Sequence, residues 1–418
     1  MAQANRDAGE RRSGHPSPGA GAKCHDSGMN EREPWITWEE SGAAQRARWR
    51  SESQAMPAAL LPVDDTLPAN AAFRLINEGT GLLWRGDFQN GRQLLQALGR
   101  RVDKPPRADG RARAPAPAHA AAMARDAFAR HRETQARRAA LLGRVLVKFE
   151  PDHTIALRRA PDVRAALAEA WGAPDGTPSV ASLRELQGLI GAHEWRKKGV
   201  EVPALGGRIH PWFGVFSPLR GEYLSLIAQA PLPMVAPGAS ELAFDVGTGT
   251  GVIAALLARR GVRQVVATDL DPRAIACATE NVARLGFAKQ VRVVAADMFP
   301  EGRAALVVCN PPWVPTPANA PIERAVYDPD SAMLRAFLAG LAAHLAPGGE
   351  GWLVMSDLAE HLGLRTREQM LAWIAGAGLR VVARHDTRPT HAKAGDPSDP
   401  LFAARSKEVT SLWRLGAA

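Results

Sequence analysis

Residues 242–272 read LAFDVGTGTGVIAALLARRGVRQVVATDLDP. The first five, LAFDV, form a short apolar run that predicts a buried strand. It feeds directly into Gly247-Thr248-Gly249-Thr250-Gly251. The apolar run at 252–260 predicts a helix, and QVVATD at 264–269 predicts a second strand. Strand, glycine turn, helix, strand is the opening unit of a sheet wound on both faces. Glycines at such a turn permit positive φ and let a ligand approach the backbone.

The same alternation continues to the C-terminus. VRVVAAD (291–297), ALVVCN (305–310), GWLVMSD (351–357), RVVARHD (380–386) and VTSLWRL (409–415) read as further strands. Helical patterns fall at 272–285, 330–345 and 365–377. Near-continuous apolar strands separated by helices predict an α/β fold with a doubly wound, Rossmann-like sheet of seven strands. No helical pattern joins the last two strands, so the final one is free to run antiparallel.

The glycine loop alone is a weak sign. Its G-x-G-x-G spacing approaches the dinucleotide fingerprint, but Val252 takes the place of the third glycine. It suits NAD, FAD or S-adenosylmethionine. The acids around it narrow the choice. Asp245 lies just before the loop, where a carboxylate repels a pyrophosphate but accepts hydrogen bonds from an ammonium group. Asp269 ends the second strand, 18 positions after Gly251, where an acid accepts both hydroxyls of a ribose. Asp297 ends the third strand, where an acid takes an adenine amino group. Asp271 rivals Asp269, but it precedes Pro272 at a helix start, where capping is its expected role.

The fourth strand ends in Asn310-Pro311-Pro312-Trp313. Two prolines stop the strand and hold the chain extended. This presents the Asn310 side chain and the Pro311 carbonyl as a fixed pair of acceptors, and Trp313 adds a flat face. A planar –NH2 group fits such a site. Its lone pair is delocalised, so it is a poor nucleophile until acceptors aimed at its protons stabilise the positive charge that develops on nitrogen.

With these motifs in place, residues 236–418 resemble the class I S-adenosylmethionine-dependent methyltransferases. Asn310-Pro311-Pro312-Trp313 resembles the [DN]-P-P-[FYW] motif of members that methylate adenine N6, guanine N2 or the glutamine side-chain nitrogen. The resemblance implies S-adenosylmethionine as cofactor, held by Asp245, Gly247, Gly249, Gly251, Asp269 and Asp297. It assigns the catalytic role to Asn310, Pro311, Pro312 and Trp313. Most glutamine-modifying members carry Tyr at the last position, and Trp313 departs from that. In this family the segment before the first strand often closes over the methionine end of the cofactor. Here it holds Trp212, Phe213, Phe216 and Tyr223, with Arg220 placed to pair with the methionine carboxylate.

The N-terminal part offers no motif with chemistry. Residues 1–60 lack apolar periodicity and predict a disordered tail. Residues 61–175 predict a smaller, mostly helical domain interrupted by a Pro/Ala/Arg linker at 102–118, and 176–235 a connecting segment. Charge is uneven. Residues 1–150 hold 24 Lys/Arg against 17 Asp/Glu, a net +7, while 151–418 hold 28 against 26, a net +2. A basic region beside a near-neutral catalytic one favours a nucleic-acid partner, RNA before DNA, over a protein substrate. The three cysteines, Cys24, Cys277 and Cys309, are too scattered for a disulfide framework or a metal site. No stretch has the length of a membrane span, so no membrane partner is expected and a reducing cytoplasm fits best.

Overall fold

The structure is a computed structural model and describes residues 34–103, 120–217, 221–234, 241–319, 321–390 and 395–418. Its first described segment is ordered. Trp35–Glu40 (β1) and Ala43–Trp49 (β2) form an antiparallel hairpin. With Ala59–Val63 (β3), Thr80–Trp84 (β4), Val145–Phe149 (β5) and Ser179–Ser182 (β6) they make one six-stranded sheet, ordered β1-β2-β6-β5-β4-β3. One face packs through Leu82, Trp84, Val145, Val147 and Phe149 against the helices Phe88–Val102 and Leu183–Lys198. The other face gathers Ile36, Trp38, Ala47, Trp49, Leu83, Leu146 and Val180. β1 also touches β3, so the sheet curls over this second cluster.

This corrects three sequence expectations. Residues 35–63 are not tail but three strands of the sheet. The domain is α/β rather than mostly helical. It also continues past 175, because β6 and the helix Leu183–Lys198 complete its core. Residues 1–33 and most of the expected linker at 102–118 lie outside the described residues. The alternation in β1, with Ile36 and Trp38 inward and Trp35, Thr37 and Glu39 outward, carries the strand signal in only two buried positions.

Val200–Val202 (β7) and Gly207–Ile209 (β8) form a small hairpin, whose Val202 and Ile209 already belong to the next core. The predicted seven-stranded sheet then follows. Its strands are Leu242–Val246 (β9), Gln264–Asp269 (β10), Val291–Ala295 (β11), Ala304–Cys309 (β12), Leu345–Ser356 (β13), Leu379–Thr387 (β14) and Thr410–Ala417 (β15). The order is β11-β10-β9-β12-β13-β15-β14. All pairs are parallel except those of β15, which is antiparallel to both neighbours. Ala243, Val265, Leu306, Val308 and Trp352 pack to one face and Phe244, Val246, Val266, Val307 and Leu353 to the other. With both faces covered, the strands read as continuous apolar runs. The strand order reverses between β9 and β12, which opens a crevice at their carboxyl ends.

The helix Ala120–Leu142 spans the two domains. Leu141 and Leu142 join the N-terminal core, while Phe128 packs with Val314, Leu358 and Leu362. Among the described residues, no helix is long and apolar enough to cross a membrane.

The strand assignment at 43–49 makes Trp49 a core residue. It is 6% exposed, and its indole N–H donates to the Gln54 carbonyl at 3.2 Å. Trp49→Ala is expected to destabilise the N-terminal domain by about 3–5 kcal/mol, as large-to-small changes in cores do. Urea denaturation followed by tryptophan fluorescence measures this. A change below about 1 kcal/mol is the outcome that residues 1–60 would give as a tail.

Candidate active site at the sheet switch point

The loop after β9 is shaped by backbone that side chains rarely adopt. Gly247, Gly249 and Gly251 have φ of 71°, 53° and 79°. A Cβ at Gly247 would lie 2.7 Å from the Met333 methyl, and one at Gly251 3.1 Å from the Ala278 Cα. The positive φ strains any other residue at all three, and at Gly251 a Cβ would also press on the Ala278 backbone. Asn281, fully buried, ties this loop to the preceding segment. Its Nδ2 donates to the Thr250 carbonyl at 3.0 Å, and its Oδ1 accepts from the His210 N–H at 2.8 Å.

Asp245 sits beneath the loop and does not line the cavity. It is fully buried. Its Oδ2 accepts from the Thr248 hydroxyl at 2.6 Å and the Ala254 N–H at 3.0 Å, while its Oδ1 has no partner. Burial pushes its pKa up to about 7. It thus fastens the loop to the start of the helix Val252–Arg259.

Asp269 faces the cavity and is wired to the same loop. Its Oδ2 accepts from the Gly249 N–H at 3.0 Å, and its Oδ1 from the Asp271 N–H at 3.0 Å. Asp271 caps the helix Pro272–Arg284, accepting from the Arg273 N–H at 2.8 Å. Between them Leu270 is 66% exposed, an apolar side chain at the mouth of the cavity. Asp297 lies two residues past β11, exposed and outside the cavity lining. Arg220 lies outside the described residues.

Asn310, Pro311, Pro312 and Trp313 line the same cavity, of about 930 Å³. Their geometry differs from the sequence expectation in one respect. Asn310 Oδ1 accepts a hydrogen bond from Trp313 Nε1 at 3.0 Å. The indole therefore holds the amide in place as well as offering a surface. Tyr223, from the helix Glu222–Gln229, is buried and hydrogen-bonds the same Asn310 side chain. Burial raises its pKa, so the phenol stays protonated. Cys309, just before Asn310, is buried, and desolvation raises its thiol pKa well above the ordinary value, so it is not a nucleophile.

The rest of the cavity comes from segments that carry no motif. Val215 and Phe216 reach the wall from before the first strand. Trp212 turns away, its N–H donating to Glu280 at 2.9 Å. Arg324, Val326 and Met333 enter from the loop and helix after the Asn-Pro-Pro-Trp turn. That loop is pinned by the long helix: Arg132 pairs with Glu323 at 3.0 Å and stacks on Tyr327 at 4.0 Å. Glu52 of the N-terminal domain also reaches the wall. Tyr223 was legible as an aromatic but not as a partner of Asn310. Glu52 carries no sequence signal at all.

The part of the chain that carries this site is similar to known proteins. Residues 213–367 match the family described as methyltransferase small domain. The release factor glutamine methyltransferase of Cereibacter sphaeroides is 40% identical over 121 residues, 25% of this chain and 43% of that protein. That of Moorella thermoacetica is 34% identical over 173 residues, 36% of this chain and 61% of that protein. The tRNA1(Val) (adenine(37)-N6)-methyltransferase of Pedobacter heparinus is 32% identical over 135 residues, 29% of this chain and 58% of that protein. The chain spans about half the length of these curated relatives. Glycine loop, acidic strand ends and Asn-Pro-Pro-Trp turn all fall within the matched stretch, and residues 213–367 are a methyltransferase small domain of the class I S-adenosylmethionine-dependent family.

Proposed function

We propose that the chain is an S-adenosylmethionine-dependent N-methyltransferase whose acceptor is the exocyclic amine of a nucleic-acid base, RNA before DNA. The observation that carries the transfer to nitrogen is the placement of Asn310 across one cavity from Asp269, with its acceptor oxygen fixed by Trp313. The cavity suits the cofactor. Three glycines at positive φ leave room a Cβ would fill, Asp269 offers a carboxylate for a ribose, and exposed Leu270 offers an apolar surface for a purine. When bound, the cofactor supplies an electrophilic methyl group on a sulfonium.

The protein's part is alignment and charge. Asn310 Oδ1 has a second lone pair beyond the one that Trp313 occupies, and this accepts one proton of the target –NH2. The Pro311 carbonyl takes the other. Together they hold the nitrogen in line and stabilise charge as the bond forms. Tyr223 and Trp313 act as positioning residues. Asp245 lends negative potential from beneath the loop to the ammonium end of the cofactor. The nucleic-acid assignment is supported by the net +7 of residues 1–150 and by the adenine-modifying relative. A paired base would have to leave its stack to reach Asn310. A second reading, a protein glutamine side chain, is favoured by the two glutamine-modifying relatives. Labelled cofactor offered separately to RNA, DNA and protein fractions decides between them. Label in protein alone overturns the nucleic-acid reading, and no transfer to any fraction overturns the enzyme.

Asn310→Ala is expected to lower kcat about 100- to 1000-fold with little change in cofactor affinity. Asn310→Asp keeps an acceptor and should retain part of the activity. Trp313→Phe keeps the flat face but deletes the N–H that holds Asn310, and should lower kcat roughly tenfold. Steady-state kinetics on the labelled substrate measure all three. Wild-type turnover in Asn310→Ala would reduce the turn to a strand terminator.

Two changes probe the cofactor side by calorimetry with S-adenosylhomocysteine. Asp269→Ala should raise Kd by on the order of 10- to 100-fold. The pH dependence follows from Asp245. Its carboxyl, raised to about 7 in the folded protein, is partly protonated at neutral pH. An ammonium nearby favours the ionised form, so affinity should rise between pH 6 and 8. Asp245→Asn should flatten that rise, and an unchanged slope in the variant would exclude Asp245 as its origin.

A further inference from the structure

We propose that Glu52, a residue of the N-terminal domain, belongs to the adenosyl-binding wall and accepts a hydrogen bond from a donor on the cofactor's adenosyl group. The inference rests on the cavity being an S-adenosylmethionine site. Glu52 lines that cavity beside Asp269, Leu270, Asp271 and Arg273, the end where a ribose and a purine are placed. It is 221 positions away from Arg273 in sequence, yet the two form a two-pronged pair. Arg273 Nη2 donates to Glu52 Oε1 at 2.5 Å and Nη1 to Oε2 at 3.1 Å. The Phe213 ring lies 5.9 Å from the same guanidinium.

The turn that presents Glu52 is built for the purpose of holding it still. Glu185, on the helix Leu183–Lys198, has a mostly buried carboxyl whose pKa is raised by desolvation. It accepts from the Ser51 hydroxyl, from the Glu52 N–H at 3.1 Å and from the Ser53 hydroxyl at 3.3 Å. Three donors on one carboxyl fix the backbone of residues 51–53, so the Glu52 side chain reaches the cavity from a rigid base. Each Glu52 oxygen still has a lone pair after pairing with Arg273, and the side chain retains 30% of its exposure. The adenosyl group offers two kinds of donor, the ribose hydroxyls and the exocyclic amine. Asp297, the residue that the strand pattern placed on the amine, stands outside the cavity lining. Glu52 is the acid that the cavity lining holds in addition to Asp269 and the helix-capping Asp271.

The test uses the full chain and calorimetry with four ligands: S-adenosylhomocysteine, S-inosylhomocysteine, which lacks the amine, and the 2′-deoxy and 3′-deoxy analogues. Glu52→Ala is expected to raise Kd for S-adenosylhomocysteine about tenfold, as loss of a hydrogen bond to a charged acceptor does. Glu52→Gln, which keeps the shape and one acceptor, should fall between. The penalty should vanish for the analogue that lacks the donor contacted, which identifies that donor. An unchanged Kd in Glu52→Ala overturns the proposal. So does an equal penalty on all four ligands, because that outcome means Glu52 acts only by fastening the domains together. Failure of the wild-type chain to bind S-adenosylhomocysteine is a separate result and overturns the reading of the cavity instead.

Discussion

A carboxylate shut away from water at the end of β9 is the constraint on which the site depends. Asp245 has two donors on one oxygen and none on the other, at a point where burial strongly disfavours its charge. Such a group is costly to the fold. What it provides is a link between the turn at Thr248 and the first turn of the helix Val252–Arg259. With that link made, three glycines can hold positive φ without the loop opening. Asp269 then reads the loop from the other side through the Gly249 N–H. The two acids grip the same five residues from below and from the rim, and the crevice between β9 and β12 acquires a floor.

The catalytic sheet was legible because its signals are local and repeated. Apolar runs such as LAFDV and ALVVC are buried along nearly their whole length, so periodicity has little to contradict it. The absence of a helical pattern before the last strand left it free to reverse, and β15 does run antiparallel to both neighbours. Asp271 as a helix cap was also readable, since Pro272 follows it. The N-terminal sheet was not legible for the converse reason. β1 shows only Ile36 and Trp38 inward among six residues, β6 is four residues long, and β2 carries Arg46 and Arg48 on its outer positions and Gln45 on its inner face. Short strands, one of them joined to its neighbour only across the span from Arg48 to Ser179, leave almost no trace in a local window.

Within the site the same divide holds. Positions set by strand ends could be placed from the sequence, but contacts across the chain could not. The bond from Trp313 Nε1 to Asn310 Oδ1 spans three residues, yet it depends on the turn geometry that the two prolines impose. Asp297 shows the limit of reasoning from strand ends. The chain leaves β11 two residues before it, and the side chain ends exposed.

The N-terminal domain and the methyltransferase domain both contribute side chains at the cavity. Glu52 meets Arg273 on its lining, and Arg132 of the long helix holds Glu323 and Tyr327 on the segment that follows the Asn-Pro-Pro-Trp turn. The first contact sits on the lining with Asp269 and Leu270, the second on the loop that brings Arg324 and Val326 to the same cavity. The lining of the cavity therefore depends on contacts made from outside the seven-stranded sheet, and neither Glu52 nor Arg132 could be read from its strand pattern.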